Sequence, residues 1–170
     1  MLSTSDARSE SFEAFVRVRW GPAVRMAYGL TLDRSAAEDM AQEAFARVWP
    51  RWARIEAQNP VGYLNRTIVN LAHSARRRRA RATALQQAAA SGVTDDGSVA
   101  VVERDAILRA LGKLSRQQRA VLVLRYVEDI PIEEVASMLN CSTGAVKTHA
   151  SRGVDMMRRH LRASVLQEEI

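Results

Sequence analysis

Residues 142–153 read STGAVKTHASRG. Wound as a helix, this stretch and the residues just after it put Gly144, Lys147, Thr148, Ser151 and Asp155 on one side, with His149 and Arg152 at its margins. Lysine and arginine donate to guanine edges or to phosphates, and threonine and serine donate or accept at either. Gly144 leaves room for close backbone approach. The other side repeats Val146, Ala150, Gly153, Met157 and Leu161, an apolar line that needs a partner. The preceding segment supplies one: Ile132, Val135, Ala136 and Leu139 fall at i, i+3, i+4 and i+7. Asn140 stands where a tight interhelical turn wants a left-handed residue, and Ser142 is a good N-cap. Two short helices with these features make a helix-turn-helix at about residues 132–151, its second helix shaped for a major groove. A solvated face on an ordinary helical hairpin accounts for the same residues, so the rest of the chain must decide.

The chain has 170 residues and a formal net charge of +6. Of its 25 basic residues only Lys113 and Lys147 are lysines, a bias that suits bidentate contacts to phosphates and bases. Nucleic acid is therefore the first partner to consider, ahead of an anionic membrane surface. Hydrophobic residues make up 47% and aromatic residues only 5%, so aliphatic and alanine-rich helix packing is expected to dominate the core. Cys141 alone excludes an internal disulfide and fits a reducing compartment. The N-terminal stretch lacks an apolar signal core, and no apolar run reaches spanning length. A soluble, cytoplasmic protein is expected.

Helical periodicity fills the rest. Phe12, Phe15 and Val16 share a stripe. GLTLDRS reads as a break, with Ser35 and Glu38 expected to form a capping box. Ala37, Met40, Ala41, Ala44, Phe45 and Val48 then keep helical spacing. Pro50 and EAQNP interrupt, Pro60 opens a further helix, and Leu64, Ile68, Leu71 and Ala75 form its buried line. Residues 80–98, small and polar, read as a linker. A second capping box, Ser115 with Gln118, precedes RAVLVLRYV, and EDIP is a turn. The fold class expected is all-α: two small helical domains joined by a flexible linker.

AEDMAQEAFARVWPRW, followed by NPVGYLNRTIVNLAHSARRRR, resembles domain 2 of the extracytoplasmic-function group of bacterial RNA polymerase sigma factors. LGKLSRQQRAVLVLRYVEDIPIEEVASMLNCSTGAVKTHASRGVDMMRRHL resembles their domain 4. The order of the motifs and the short length also fit, most closely the compact actinobacterial branch called the SigE family. The resemblance implies domain 2 at residues 10–79, a linker at 80–98 and domain 4 at 99–162. It implies three surfaces. Asp39, Gln42 and Glu43 match the D-x-x-Q-E pattern that binds the clamp coiled coil of core RNA polymerase, and Trp49 joins that contact or the core. Tyr63, Arg66, Thr67 and Asn70, with Arg76 and Arg77, match the face that melts and reads the −10 promoter element, bases stacking on an aromatic while arginines hold phosphates. Gln58 and Asn59 lie in the loop that captures a flipped base. Lys147, Thr148, His149, Ser151 and Arg152 match the positions that read the −35 duplex, and Ser142 and Thr143 meet phosphate at the helix start. An anti-sigma factor is a further partner the family implies. Many relatives carry tryptophan where Tyr63 stands and an acid where Ser74 stands; the tyrosine can still stack, whereas the serine removes a charge, so the family's detailed −10 sequence preference does not carry over.

Two other classes of function compete. A helix-turn-helix repressor or response-regulator output domain explains the C-terminal half and leaves the N-terminal faces without a use. An enzyme has little support: His73, His149, His160 and Cys141 lack metal-ligand spacing, and no nucleophile elbow, P-loop or dinucleotide fingerprint occurs. No catalytic residue, metal, cofactor or small-molecule substrate is expected.

Overall fold

The computed structural model describes the backbone of residues 4–83 and 99–168 and the side chains of 6–75 and 106–163. Every regular element among them is helical. The chain divides into two compact units, Met1–Ala88 and Ala89–Ile170.

In the first unit, α1 (Thr4–Thr31), α2 (Arg34–Val48), a 3₁₀ turn (Trp49–Arg51), α3 (Trp52–Ile55) and α4 (Pro60–Thr83) follow in order. Helix α1 continues through Pro22. Proline has no N–H to give the carbonyl four residues back; that residue, Val18, is exposed, on the side where water can replace the lost donor. The break after α1 is shorter than GLTLDRS suggests, and the capping box expected of Ser35 and Glu38 does not form. Asp33 caps α2 instead, its carboxylate accepting from the Ala36 N–H at 3.0 Å. The reason lies just upstream. The Thr31 hydroxyl donates to the Ala27 carbonyl at 2.9 Å and accepts from the Asp33 N–H at 3.3 Å, and Leu32 turns left-handed at φ 57°. The chain therefore reverses early enough for Asp33 to take the cap. Ser35 is left exposed, and Glu38 pairs with Arg34 at 3.1 Å.

All six residues of the α2 stripe are buried. Pro60 opens α4, and Leu64, Ile68 and Leu71 are buried, Ala75 partly so. Asn65 and Val69 are buried as well, because α4 packs against both α1 and α2. The few large aromatic side chains are not scattered. All three phenylalanines and all three tryptophans gather in one cluster where α1 meets α2 and α3. Trp52 sits 4.8 Å from the Phe15 ring and 5.2 Å from Phe12, and its Nε1–H donates to Ser11 Oγ at 2.9 Å. These six rings edge a core that is otherwise aliphatic and alanine-rich, as expected: of them only Phe45 and Trp52 are among the buried residues. At its far end α4 runs to Thr83, past the expected linker start at residue 80, since arginine and alanine are strong helix formers. Residues 84–98 of that linker lie outside the described residues.

The second unit holds α5 (Val99–Lys113), α6 (Arg116–Leu122), a π-helical turn (Val123–Val127), α7 (Ile132–Leu139) and α8 (Thr143–Glu168). Ser115 and Gln118 form the expected capping box, at 3.3 and 3.0 Å. Half-buried Arg119 donates Nε–H to the Leu111 carbonyl at 3.0 Å, tying α6 to the end of α5. Burial, and then the charge of Arg116, lowers its pKa from the usual guanidinium value. The EDIP turn is made at Asp129, φ 50°, with Arg125 donating to the Ile130 carbonyl.

Helix α7 buries Val135 and Ala136 as expected, and Met138 besides. Asn140 ends it in the left-handed region at φ 52°, ψ 52°, and the Cys141 N–H returns to the Ala136 carbonyl at 3.0 Å. Cys141 is half-buried. Helix α8 packs on α5, α6 and α7 at once. Val146 is fully buried, and buried Gly153 lies so close to α6 that an added Cβ would stand 3.1 Å from Leu122. These contacts settle which side of α8 remains outside.

Candidate nucleic-acid interface

Ser142 starts α8, its Oγ accepting from the Ala145 N–H at 3.1 Å. Thr143 follows, exposed, at a helix N-terminus whose first amides favour an anion. From there Gly144, Lys147, Thr148, Ser151 and Arg152 are all exposed, opposite Val146 and Gly153. No carboxylate interrupts them. The Thr148 hydroxyl donates to the Gly144 carbonyl at 3.0 Å, which leaves its oxygen free to accept. Nothing packs against Gly144: the nearest atom to an added Cβ is Ser142 Oγ at 3.8 Å. Packing therefore does not ask for glycine there, and the surface beside the donors is low. His149 is half-buried at the edge of this face, one step beyond Arg152.

On α4, Tyr63, Arg66, Thr67 and Asn70 follow one another at helical spacing, opposite Leu64, Ile68 and Leu71. Arg66 and Asn70 are exposed, Tyr63 and Thr67 half-buried. The Thr67 hydroxyl donates to the Tyr63 carbonyl at 2.8 Å. Arg76 and Arg77 continue the helix; their side chains lie outside the described residues. The loop before α4 divides its two candidates. Gln58 is exposed. Asn59, exposed as well, caps α4, its Oδ1 accepting from the Gly62 N–H at 2.8 Å, with the amide folded so closely over Gly62 that a Cβ there would lie 2.5 Å from Nδ2. That carboxamide already has a structural use. Asn59→Ala is therefore expected to cost about 1 kcal/mol in the first unit. Asn59→Asp, which can still cap, should cost little. Urea unfolding of the two variants separates a cap from a side chain aimed outward.

The third face lies on α2. Asp39, Gln42 and Glu43 are exposed opposite the buried stripe, and Glu43 pairs with Arg47 at 2.5 Å. Gln42 stands at the rim of an open groove of about 490 Å³ whose floor is Phe12, Val16, Trp20, Phe45 and Trp49. The sequence gives no sign of this groove, since its walls come from two helices. Trp49 is half-buried within the aromatic cluster, 5.0 Å from Phe12. The Arg8 guanidinium covers it at 4.6 Å while donating to its carbonyl at 2.9 Å. Among the described residues no group of three or more His, Cys, Asp or Glu is placed to hold a metal ion, and no helix is long and apolar enough to cross a membrane.

Two family models match, and they match these two units in order: Sigma-70 region 2 over residues 16–82 and Sigma-70, region 4 over residues 104–157. The chain belongs to the sigma-70 family. It is a sigma factor of the extracytoplasmic-function group, and it is similar along most of its length to named members. The RNA polymerase sigma-E factor of Streptomyces coelicolor is 32% identical over 151 residues, 88% of this chain and 85% of the relative. The ECF RNA polymerase sigma factor SigW of Bacillus subtilis is 26% identical, covering 90% of each. Among solved structures, the sigma factor RpoE of Bartonella quintana, crystallised with the anti-sigma factor NepR, shares the fold at a TM-score of 0.78, with 20% identity over 89% of this chain and 96% of that one. Sigma factors are non-enzymatic regulatory subunits that direct RNA polymerase to begin transcription at particular promoters. A repressor or response-regulator output domain accounts for α7 and α8 and leaves the region 2 match unexplained.

Proposed function

We propose that this sigma factor joins core RNA polymerase through Asp39, Gln42 and Glu43, anchors on duplex −35 DNA through the outer face of α8, and helps open the −10 element along Tyr63, Arg66, Thr67 and Asn70. Domain 2 then occupies about residues 10–79 and domain 4 about 99–162, and the segment between α4 and α5 spans the distance between the two promoter elements. The observation that carries this reading is the uninterrupted set of exposed donors on α8 beside a glycine that packing does not require. Polymerase supplies the chemistry, so the protein needs no catalytic residue or cofactor of its own, and it works in the cytoplasm. Trp49 supports the clamp-binding face from beneath, as the floor of the groove beside Gln42. An anti-sigma factor is a fitting antagonist, since covering any of the three faces would silence the protein.

The test is reconstitution. Added to core polymerase freed of other sigma factors, the full chain is expected to start transcripts at defined positions on genomic DNA; a pool in which no promoter responds sinks the proposal. Within the active holoenzyme, Tyr63→Ala or Asn70→Ala should slow open-complex formation and spare −35 duplex binding, as losing a base stack costs about 1–3 kcal/mol. A template already unpaired across the −10 element should restore much of the rate. Variants that it does not help at all have lost structure and not a melting contact.

A further inference from the structure

The exposed side of α8 does not end at Arg152. Positions 147, 151, 155, 158 and 162 follow helical spacing along one side, and Asp155, Arg158, Arg159 and Arg162 are all exposed. A rise of about 1.5 Å per residue sets Arg162 about 22 Å beyond Lys147 along the axis. A recognition helix reads base edges with its N-terminal residues, and the major groove is about 12 Å wide. Residues 144–152 span about 12 Å and use up that width. The turns that follow leave the groove and pass its wall, where the next anionic groups are phosphates. We propose that Arg158, Arg159 and Arg162 form a separate clamp on the DNA backbone flanking the −35 element, distinct from the residues that read it. This rests on the assignment of α8 to −35 DNA.

Asp155 marks the boundary between the two groups. A carboxylate turned toward DNA is repelled, and here its charge is partly offset: Arg158 Nη1 lies 3.7 Å from its Oδ1, with the two side chains 70% and 59% exposed. Arg159 Nε–H donates to the Asp155 backbone carbonyl at 3.3 Å. Each guanidinium has further N–H groups to offer, and the planar fork matches phosphate oxygens in pairs. An acidic protein surface would also attract three arginines. DNA is favoured because these arginines continue the side of the helix that already carries Lys147 and Ser151, so a duplex seated on one group lies along the other.

The experiment compares two duplexes carrying the same −35 element, one ending at its edges and one extended on both sides by about ten base pairs, a helical turn. Holoenzyme rebuilt from core polymerase and the full chain is titrated with each over a range of salt. Wild type should bind the longer duplex more tightly. The triple variant Arg158→Gln, Arg159→Gln, Arg162→Gln should lose that advantage and show a log–log salt slope shallower by about 2–3 on the longer duplex, while holding the shorter one as before. Asp155→Asn should tighten binding to the longer duplex, a gain that misfolding cannot give. The clamp is overturned if the triple variant keeps both the advantage and the slope while Lys147→Ala still weakens binding. It is also overturned if both duplexes lose affinity equally, or if the stripe retains poly-glutamate but makes no difference to DNA. Should wild type fail to select the −35 duplex at all, the recognition assignment falls first and takes the clamp with it.

Discussion

Replacing Lys147 or Arg152 with alanine will weaken holoenzyme binding to the −35 duplex by about 1–3 kcal/mol for each side chain that meets a base edge, about 5- to 150-fold. Replacing both should cost roughly the product. The expectation is large because neither residue has a job inside the protein. Both are exposed, and the helix that carries them is held by Val146 and Gly153 on its other side. Alanine also keeps the helix, so a loss of binding cannot be charged to loss of fold. If either residue meets phosphate instead, affinity will fall about evenly across sequences and the salt slope will drop by about one. Unchanged binding and unchanged salt dependence in both variants would falsify the assignment of α8.

Trp52→Ala will destabilise the first unit by about 3–5 kcal/mol, the usual cost of emptying a large aromatic site. A domain's whole stability is about 5–15 kcal/mol, so much of this unit should unfold under mild denaturant. Trp52 is 3% exposed and sits against Phe12 and Phe15. Its Nε1–H holds Ser11, whose hydroxyl in turn donates to the Arg8 carbonyl at 3.1 Å. Trp52→Phe should recover most of the packing and lose only the hydrogen bond, about 1 kcal/mol. Chemical denaturation followed by tryptophan fluorescence measures both. A loss below about 1 kcal/mol in Trp52→Ala would show that the aromatic cluster is not what holds α1 to α3.

The parts of this molecule visible in the sequence are those whose cause is local. The α2 stripe, the opening of α4 at Pro60, the Ser115 cap, the left-handed Asn140 and the buried line through Val146 each follow from residues within a few positions of one another, and each stands in the structure. The misses depend on distance or on competition. Ser35 and Glu38 spelled a capping box, but Asp33 was as good a cap and Thr31 delivered the chain to it first. The capping role of Asn59 went unseen because its partner, the Gly62 N–H, comes into reach only once α4 has formed. The aromatic cluster and the groove beside Gln42 need α1 laid across α2, which periodicity alone does not give. The proposed faces could be picked out for a different reason. Exposed lysine, arginine and amide residues at helical spacing are what remains after the core has taken its share, so finding the apolar stripe finds the opposite face too.

Helix α8 divides its labour without overlap: Val146 and Gly153 lie against neighbouring helices, while Lys147, Thr148, Ser151 and Arg152 touch no core at all. Mutation can therefore rewrite the outward letters one at a time while the inward ones keep the helix seated. A gene duplicated with this architecture is free to drift toward a new set of promoters with little risk of unfolding on the way. The inward constraint is tightest at Gly153, where even a methyl group would press on the Leu122 side chain.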